Sequence, residues 1–181
     1  MRTVALFGGS FDPPHLGHVL AATWVLSTSA VDELLVMPAF DHAFDKPLTA
    51  FEHRMRMAAL AFAPLRAARV SDLEARLGGE SYTVRTLEHL RAEEPDAAWR
   101  LVVGTDLVAS IPRWHQGHRI PELCELLVVG RGGFARGEED LLMPEVSSTE
   151  VRRRLRAGEP ADALVPHAVL AYAAEHGLYG E

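Results

Sequence analysis

At 181 residues, 48% hydrophobic and 24% charged, the chain has the size and composition of a folded protein built on one main core. Its net charge of −7 argues against a general nucleic-acid binder, which carries a basic surplus. No apolar run approaches the roughly 18 residues that span a bilayer, so no membrane partner is expected. Val4-Ala5-Leu6-Phe7 runs into glycine too soon for a signal peptide, and Cys124 is the only cysteine, which suits a reducing, cytoplasmic setting.

Short apolar runs alternate with helix-period segments, the pattern of βαβ units around a parallel sheet. Thr3 to Phe7 is expected as a first strand buried on both faces. A helix follows over about Gly17 to Ser27, with Leu20, Ala21 and Trp24 on its inner side. Glu33 to Met37 reads as the second strand, stopped by Pro38, and Thr49-Ala50-Phe51-Glu52 fits a capping box opening the next helix. Ala68 to Ser71 is expected as a strand and Tyr82 to Ala92 as a helix. Trp99 to Val103 is a strand ending at Gly104, and Glu125 to Val129 another ending at Gly130-Arg131.

Residues 132–140 are glycine-rich and charged, hence loop, and a short strand is expected around Leu141 to Val146. A helix follows from Ser148 to about Ala157, and a last one spans roughly Pro166 to His176 with Gly177 as its C-cap. No repeat, low-complexity tract or linker-like shift interrupts the chain. The expected fold class is α/β, a doubly wound, Rossmann-like parallel sheet with helices on both faces. It forms a single domain over residues 1–181, with a C-terminal helical segment at about 148–177 packed on it.

In such a sheet the residues just after strands one, four and five meet, and ligands sit beyond those strand ends. Here they are Gly8-Gly9-Ser10, Gly104-Thr105-Asp106 and Gly130-Arg131. Gly8 and Gly9 are expected to let the backbone approach a ligand and to adopt positive φ. Pro13-Pro14 stiffens the turn and delays the helix, after which His15 and His18 lie one helical turn apart and address one point. Gly17 between them removes bulk, and the N–H groups of the helix start favour an anion. This is neither a Walker loop nor a Gly-x-Gly-x-x-Gly dinucleotide motif. A two-histidine metal site is the other use of His15 and His18, and it lacks a nearby third ligand in the sequence. Further on, Ser147 and Glu150 satisfy a capping box, while hydroxyls and N–H groups there also suit a polyphosphate, with Arg152 as counter-charge. Arg152, Arg153, Arg154 and Arg156 cannot all face one site at helical spacing, so half or more belong to a solvated face.

GGSFDPPHLGH at residues 8–18 and Val146-Ser147-Ser148-Thr149-Glu150-Val151-Arg152 resemble the two signature motifs of the His-x-Gly-His nucleotidyltransferases. Ser81-Tyr82-Thr83 with Thr86-Leu87, Gly104-Thr105-Asp106 with Pro112 and Trp114, and the ending Leu164-Val165-Pro166 through His176-Gly177-Leu178-Tyr179 narrow the resemblance to the nicotinate-nucleotide adenylyltransferase family. It covers nearly the whole chain. In that family's pattern an asparagine and Pro-Pro-His-Lys/Arg follow strand two; here the stretch is Ala39-Phe40-Asp41-His42-Ala43-Phe44-Asp45-Lys46, which keeps only the basic residue. The segment between Arg131 and Ser147 is also shorter than usual.

The resemblance implies transfer of AMP from ATP to the 5′-phosphate of nicotinate mononucleotide, with Mg²⁺ carried mainly by the ATP phosphates and no covalent enzyme intermediate. His15, His18 and Arg152 would be catalytic. ATP would bind against Gly8, Gly9, Ser10, Phe11, His15, Gly17, His18, Gly104, Asp106, Arg131, Ser147, Ser148, Thr149 and Arg152. The mononucleotide would meet Lys46, Tyr82, Thr83, Asp106 and Trp114, whose indole suits a pyridinium-like ring unless it is simply a core residue. Asp12 would be a turn residue, not a metal ligand. The other assignments are an adenylyltransferase using nicotinamide mononucleotide or phosphopantetheine, and a catalytically silent nucleotide-binding regulator.

Overall fold

The computed structural model describes residues 1–41, 48–130 and 146–180. Strand β1 (Thr3–Gly9) leads into helix α1 (Leu16–Thr28), then β2 (Glu33–Pro38), α2 (Phe51–Phe62), β3 (Ala68–Val70), α3 (Leu73–Leu77) and α4 (Thr83–Glu93). Strand β4 (Ala98–Gly104) is followed by α5 (Thr105–Val108), α6 (Ile120–Leu123) and β5 (Glu125–Val129), and α7 (Ser148–Arg156) and α8 (His167–Glu175) complete the described chain. The strands form one parallel sheet in the order β3-β2-β1-β4-β5. Chain order therefore reverses at β1, whose neighbours are β2 and β4, and in sheets of this kind ligands sit at such a switch point beyond the carboxyl ends of the strands.

Both faces of the sheet are covered, which is why the strands read as continuous apolar runs. On one face Ala5, Leu34, Val36 and Val102 pack with Ala22 and Val25 of α1, Met57 and Phe62 of α2, Val151 of α7 and Val169 of α8. On the other, Val4, Leu6, Leu35, Leu101 and Val103 pack with Leu73, Leu87 and Ile120. The doubly wound α/β fold expected from the sequence is what forms. Gly177, at φ +60°, closes α8, and the Leu178 N–H donates to Ala173 O at 2.8 Å, as a left-handed cap requires.

Several local expectations are corrected. Leu20 is 44% exposed, and the inner side of α1 is instead Ala21, Ala22 and Val25 with Trp24 half-buried. The helix is apolar almost all round, so periodicity alone cannot choose its inner face. The capping box at Thr49 does not form, because α2 starts at Phe51 with Ala50 as cap. The Thr49 N–H and carbonyl are instead taken by Asp12 and Arg54. Gly8 and Gly9 do not take positive φ; they extend β1 and pair with Met37 and Pro38. Helix α3 and the short turns between β4 and β5 were not expected. The expected strand at 141–146 falls almost wholly outside the described residues, as do Lys46 and Arg131.

Cys124 follows α6 half-buried and donates to Ile120 O; burial pushes its thiol up to about 11, so it stays protonated and unreactive. Among the described residues no helix is long and apolar enough to cross a membrane.

Candidate active site

Beyond the end of β1 the chain makes a tight loop with a cis Asp12–Pro13 peptide. The positive φ expected at the glycines falls on Phe11, at +48°. Its ring is 1% exposed and packs edge-on against Phe7 and Phe62, with His18 4.9 Å away. A side chain buried there leaves only main-chain atoms of Phe11 to face outward. Gly9 eases this packing, since a Cβ would stand 3.2 Å from the Phe11 ring, tighter than an ordinary contact. Gly8, by contrast, is exposed and faces open space.

His15 caps α1 and His18 lies in its first turn, and their rings stack at 3.7 Å. His15 is buried at 2% exposure, while His18 and Gly17 are half-buried. The His15 N–H donates to His18 Nδ1 at 3.1 Å. A neutral imidazole that accepts at Nδ1 carries its proton on Nε2, so the ring is set up as a donor. The expectation that both histidines address one point becomes a stacked pair in which His18 is the more accessible member.

The second motif is bonded directly to this loop. Ser147 caps α7 by accepting from the Glu150 N–H at 3.1 Å, and Ser148 Oγ donates to Pro13 O at 2.9 Å. Arg152 donates to Asp12 O at 2.5 Å and to Thr149 Oγ1 at 3.3 Å. Its neighbours turn elsewhere: Arg153 and Arg154 pair with Glu150, holding its carboxyl down at about 2, and Arg153 also reaches Glu159. Of the arginine run, Arg152 is thus the one that meets the glycine-rich segment, as helical spacing required.

On the other side of β1, Gly104 ends β4 and Asp106 lies half-buried in the first turn of α5. Tyr82 caps α4 and Thr83 opens it. The Tyr82 ring stacks on His115 at 4.0 Å, which brings α4 against the segment carrying Trp114. Trp114 is half-buried: its indole packs against the second core while Nε1 donates to Ser110 Oγ at 3.1 Å. The core reading of this tryptophan thus describes its packed face.

Sequence reading missed four groups. Arg54, 1% exposed, gives all its hydrogen bonds to main-chain carbonyls, including Ser10 O. The signal was present: Arg54, Met57, Ala58, Ala61 and Phe62 share the helical inner face of α2, an unusual place for a cation. Asp12 and Tyr179 are joined at 2.6 Å across the length of the chain. Gly117 is the fourth, because a Cβ there would stand 1.8 Å from Ile111 O. Gly117→Ala must push the 111–117 turn apart, with an expected cost of at least about 2 kcal/mol in urea unfolding. The Gly117 N–H donates to the Trp114 carbonyl, so the substitution should also displace the Trp114 main chain.

A cytidylyltransferase-like family model matches residues 6–154, a span that includes both motifs, and defines the class as nucleotidyltransferase. A probable nicotinate-nucleotide adenylyltransferase of Anaeromyxobacter dehalogenans is 45% identical over 98% of this chain and 97% of its own length. One of Myxococcus xanthus is 44% identical over 98% and 94%. In fold, the chain is similar to a Plasmodium falciparum nicotinic acid mononucleotide adenylyltransferase solved with NaAD, at a TM-score of 0.85 and 21% identity over 99% of this chain and 98% of that one. The chain belongs to the nicotinate-nucleotide adenylyltransferase family of cytidylyltransferase-like enzymes.

Proposed function

We propose that this enzyme transfers the adenylyl group of ATP to the 5′-phosphate of nicotinate mononucleotide, giving nicotinate adenine dinucleotide and pyrophosphate for NAD biosynthesis. The observation that carries the chemistry is the bonding of residues 8–18 to the start of α7 through Ser148–Pro13 and Arg152–Asp12. It puts two helix N-termini, a histidine donor and an arginine around one loop, the arrangement a polyphosphate needs.

The mononucleotide phosphate oxygen attacks the α-phosphorus of ATP; a new P–O bond forms as the bond to the β-phosphate bridging oxygen breaks, and pyrophosphate leaves. A phosphate monoester is already ionised near neutrality, so positioning and charge stabilisation do the work. His18 Nε2–H donates to the α-phosphate as charge shifts, and buried His15 holds its ring while lining the phosphate side. Arg152 neutralises the departing pyrophosphate, with Arg131 assigned to the same task. Gly8, Gly9, Ser10, Gly17, Ser147, Ser148 and Thr149, with the Phe11 main chain, form the phosphate cradle. Gly104 and Asp106 take ribose, and Lys46, Tyr82, Thr83 and Trp114 take the mononucleotide.

Mg²⁺ bound with the polyphosphate would offset its charge. The donor set fits a metal carried by phosphates and water. Asp12 has its carboxylate oxygens engaged by Tyr179 and Thr49, and no cluster of three or more His, Cys, Asp or Glu able to hold a metal occurs among the described residues. Residues 1–181 act as one domain, supported by the core that α7 and α8 share with α1 and α2. The substrates and single cysteine suit the cytoplasm.

Pyrophosphate release with ATP and a panel of nicotinate mononucleotide, nicotinamide mononucleotide and phosphopantetheine tests the assignment. Nicotinate mononucleotide is expected to be the preferred acceptor. Turnover only with phosphopantetheine, or ATP binding without product from any acceptor, would sink it. Trp114→Ala is expected to raise KM for the mononucleotide by roughly tenfold while ATP changes little. Equal effects on both substrates would assign Trp114 to the core alone.

A further inference from the structure

We propose that Tyr179, near the C-terminal end, is a positioning residue that holds the Asp12 carboxylate and so keeps Arg152 available to the phosphates of ATP. The inference rests on the role given above to Arg152. Asp12 is 2% exposed, so its charge must be met by protein groups. Its Oδ1 accepts from the Tyr179 hydroxyl at 2.6 Å, and its Oδ2 from the Thr49 N–H at 3.2 Å.

Two cations lie near this carboxylate. Arg54, from α2, already spends its donors on the carbonyls of Thr49, Ser10, Ala39 and Phe40. Arg152, from α7, makes a long ion pair with Asp12 Oδ2 at 3.9 Å and donates its hydrogen bond to the Asp12 carbonyl. It is therefore one small side-chain movement from a close, hydrogen-bonded pair with the Asp12 carboxylate. Such a pair, formed in a site where Arg152 is only 14% exposed, would compete with a phosphate for the same guanidinium.

The tyrosine hydroxyl limits that by holding Oδ1 with a short, charge-assisted bond that brings no positive charge, which fixes the carboxylate's orientation and keeps Oδ2 at its long distance from Arg152. Burial, and then the bond to Asp12, push the Tyr179 phenol well above its usual range, so it remains a donor at any working pH. The chain delivers it there through the left-handed turn at Gly177, with Tyr179 itself at φ +64° and 8% exposed. The end of the chain is thus wired through Asp12 to the residue that meets pyrophosphate.

Equilibrium ATP binding, measured by calorimetry without any acceptor, tests the claim with Tyr179→Phe, Asp12→Asn/Tyr179→Phe, and Tyr179→Phe placed in Arg152→Ala. Tyr179→Phe is expected to weaken ATP binding by about tenfold, because the freed carboxylate captures Arg152. It should also raise KM for ATP while leaving KM for the mononucleotide nearly unchanged. Asp12→Asn/Tyr179→Phe should return ATP binding to within about threefold of wild type, since no carboxylate remains to capture the arginine. In Arg152→Ala, adding Tyr179→Phe should change ATP binding no further.

Unchanged ATP binding in Tyr179→Phe, absence of rescue in the double variant, or a full additional loss in Arg152→Ala would each overturn the proposal. A purely structural role would lower Tm without any of the rescue. If Tyr179→Phe does not fold, the double variant decides alone: ATP binding about tenfold or more below wild type overturns the claim. Failure of wild type to use nicotinate mononucleotide would instead overturn the acceptor assignment, and the ATP measurements would still stand.

Discussion

His18→Ala is expected to lower kcat by about 10²–10³, corresponding to roughly 3–4 kcal/mol of lost transition-state stabilisation, while ATP binding changes little. The reasoning starts at the His15 N–H, which donates to His18 Nδ1 and leaves the proton at Nε2. A donor fixed before the reaction needs no reorganisation as charge builds on the α-phosphate, and that is where its advantage lies. Its ring is fixed twice more, by stacking on His15 and by the nearby edge of Phe11. Alanine removes the donor and also leaves the His15 N–H without its acceptor, which should cost only about 1 kcal/mol in stability. Single-turnover rates and a parallel ATP titration separate the two effects. Near-normal turnover in a folded variant would contradict the role of His18.

The same residues explain what sequence could and could not give. Strand β1 was legible because Val4 to Phe7 must be apolar on both faces of a covered sheet, and the same holds for β2, β4 and β5. The switch point followed from order alone, since a doubly wound sheet brings the ends of β1, β4 and β5 together. The two motifs were also legible as segments. Their bonding to each other was not, because Ser148 to Pro13 and Arg152 to Asp12 join residues more than a hundred positions apart. Leu20 was assigned to the wrong side because an all-apolar helix carries no facial signal.

Tertiary contacts overrode good local rules elsewhere. Thr49 has the spacing of a capping box, yet its main chain serves Asp12 and Arg54 and the helix begins two residues later. Gly9 looked like a backbone-freedom glycine and is instead a space-making one, set by the Phe11 ring. The strained position moved to Phe11, a residue type from which no propensity rule predicts positive φ. These substitutions of role concentrate in the loop after β1, where the chain is shaped by partners from β2, α2, α7 and the C-terminal end.

Arg54→Met is expected to produce the largest loss of stability, about 3–5 kcal/mol in urea unfolding. The guanidinium is buried, and desolvation lowers its pKa, with the negative charge of Asp12 acting in opposition. What keeps it there is geometry. Nε donates to Thr49 O at 2.8 Å, Nη1 to Ser10 O at 3.0 Å and Ala39 O at 2.6 Å, and Nη2 to Phe40 O at 3.2 Å. One planar fork thus ties the loop after β1, the end of β2 and the approach to α2 into a single floor beneath the site. Methionine fills similar volume with no donor, leaving those part-buried carbonyls to find water, at roughly 1–3 kcal/mol for each that fails. Lysine should rescue only part of the loss, because a point charge on a flexible stem cannot address carbonyls arranged for a fork. If Ser10 serves in the proposed phosphate cradle, KM for ATP should rise in the same variant even at temperatures where it remains folded. A loss below about 1 kcal/mol would mean that water or neighbouring side chains already satisfy these carbonyls, and that the floor does not depend on Arg54.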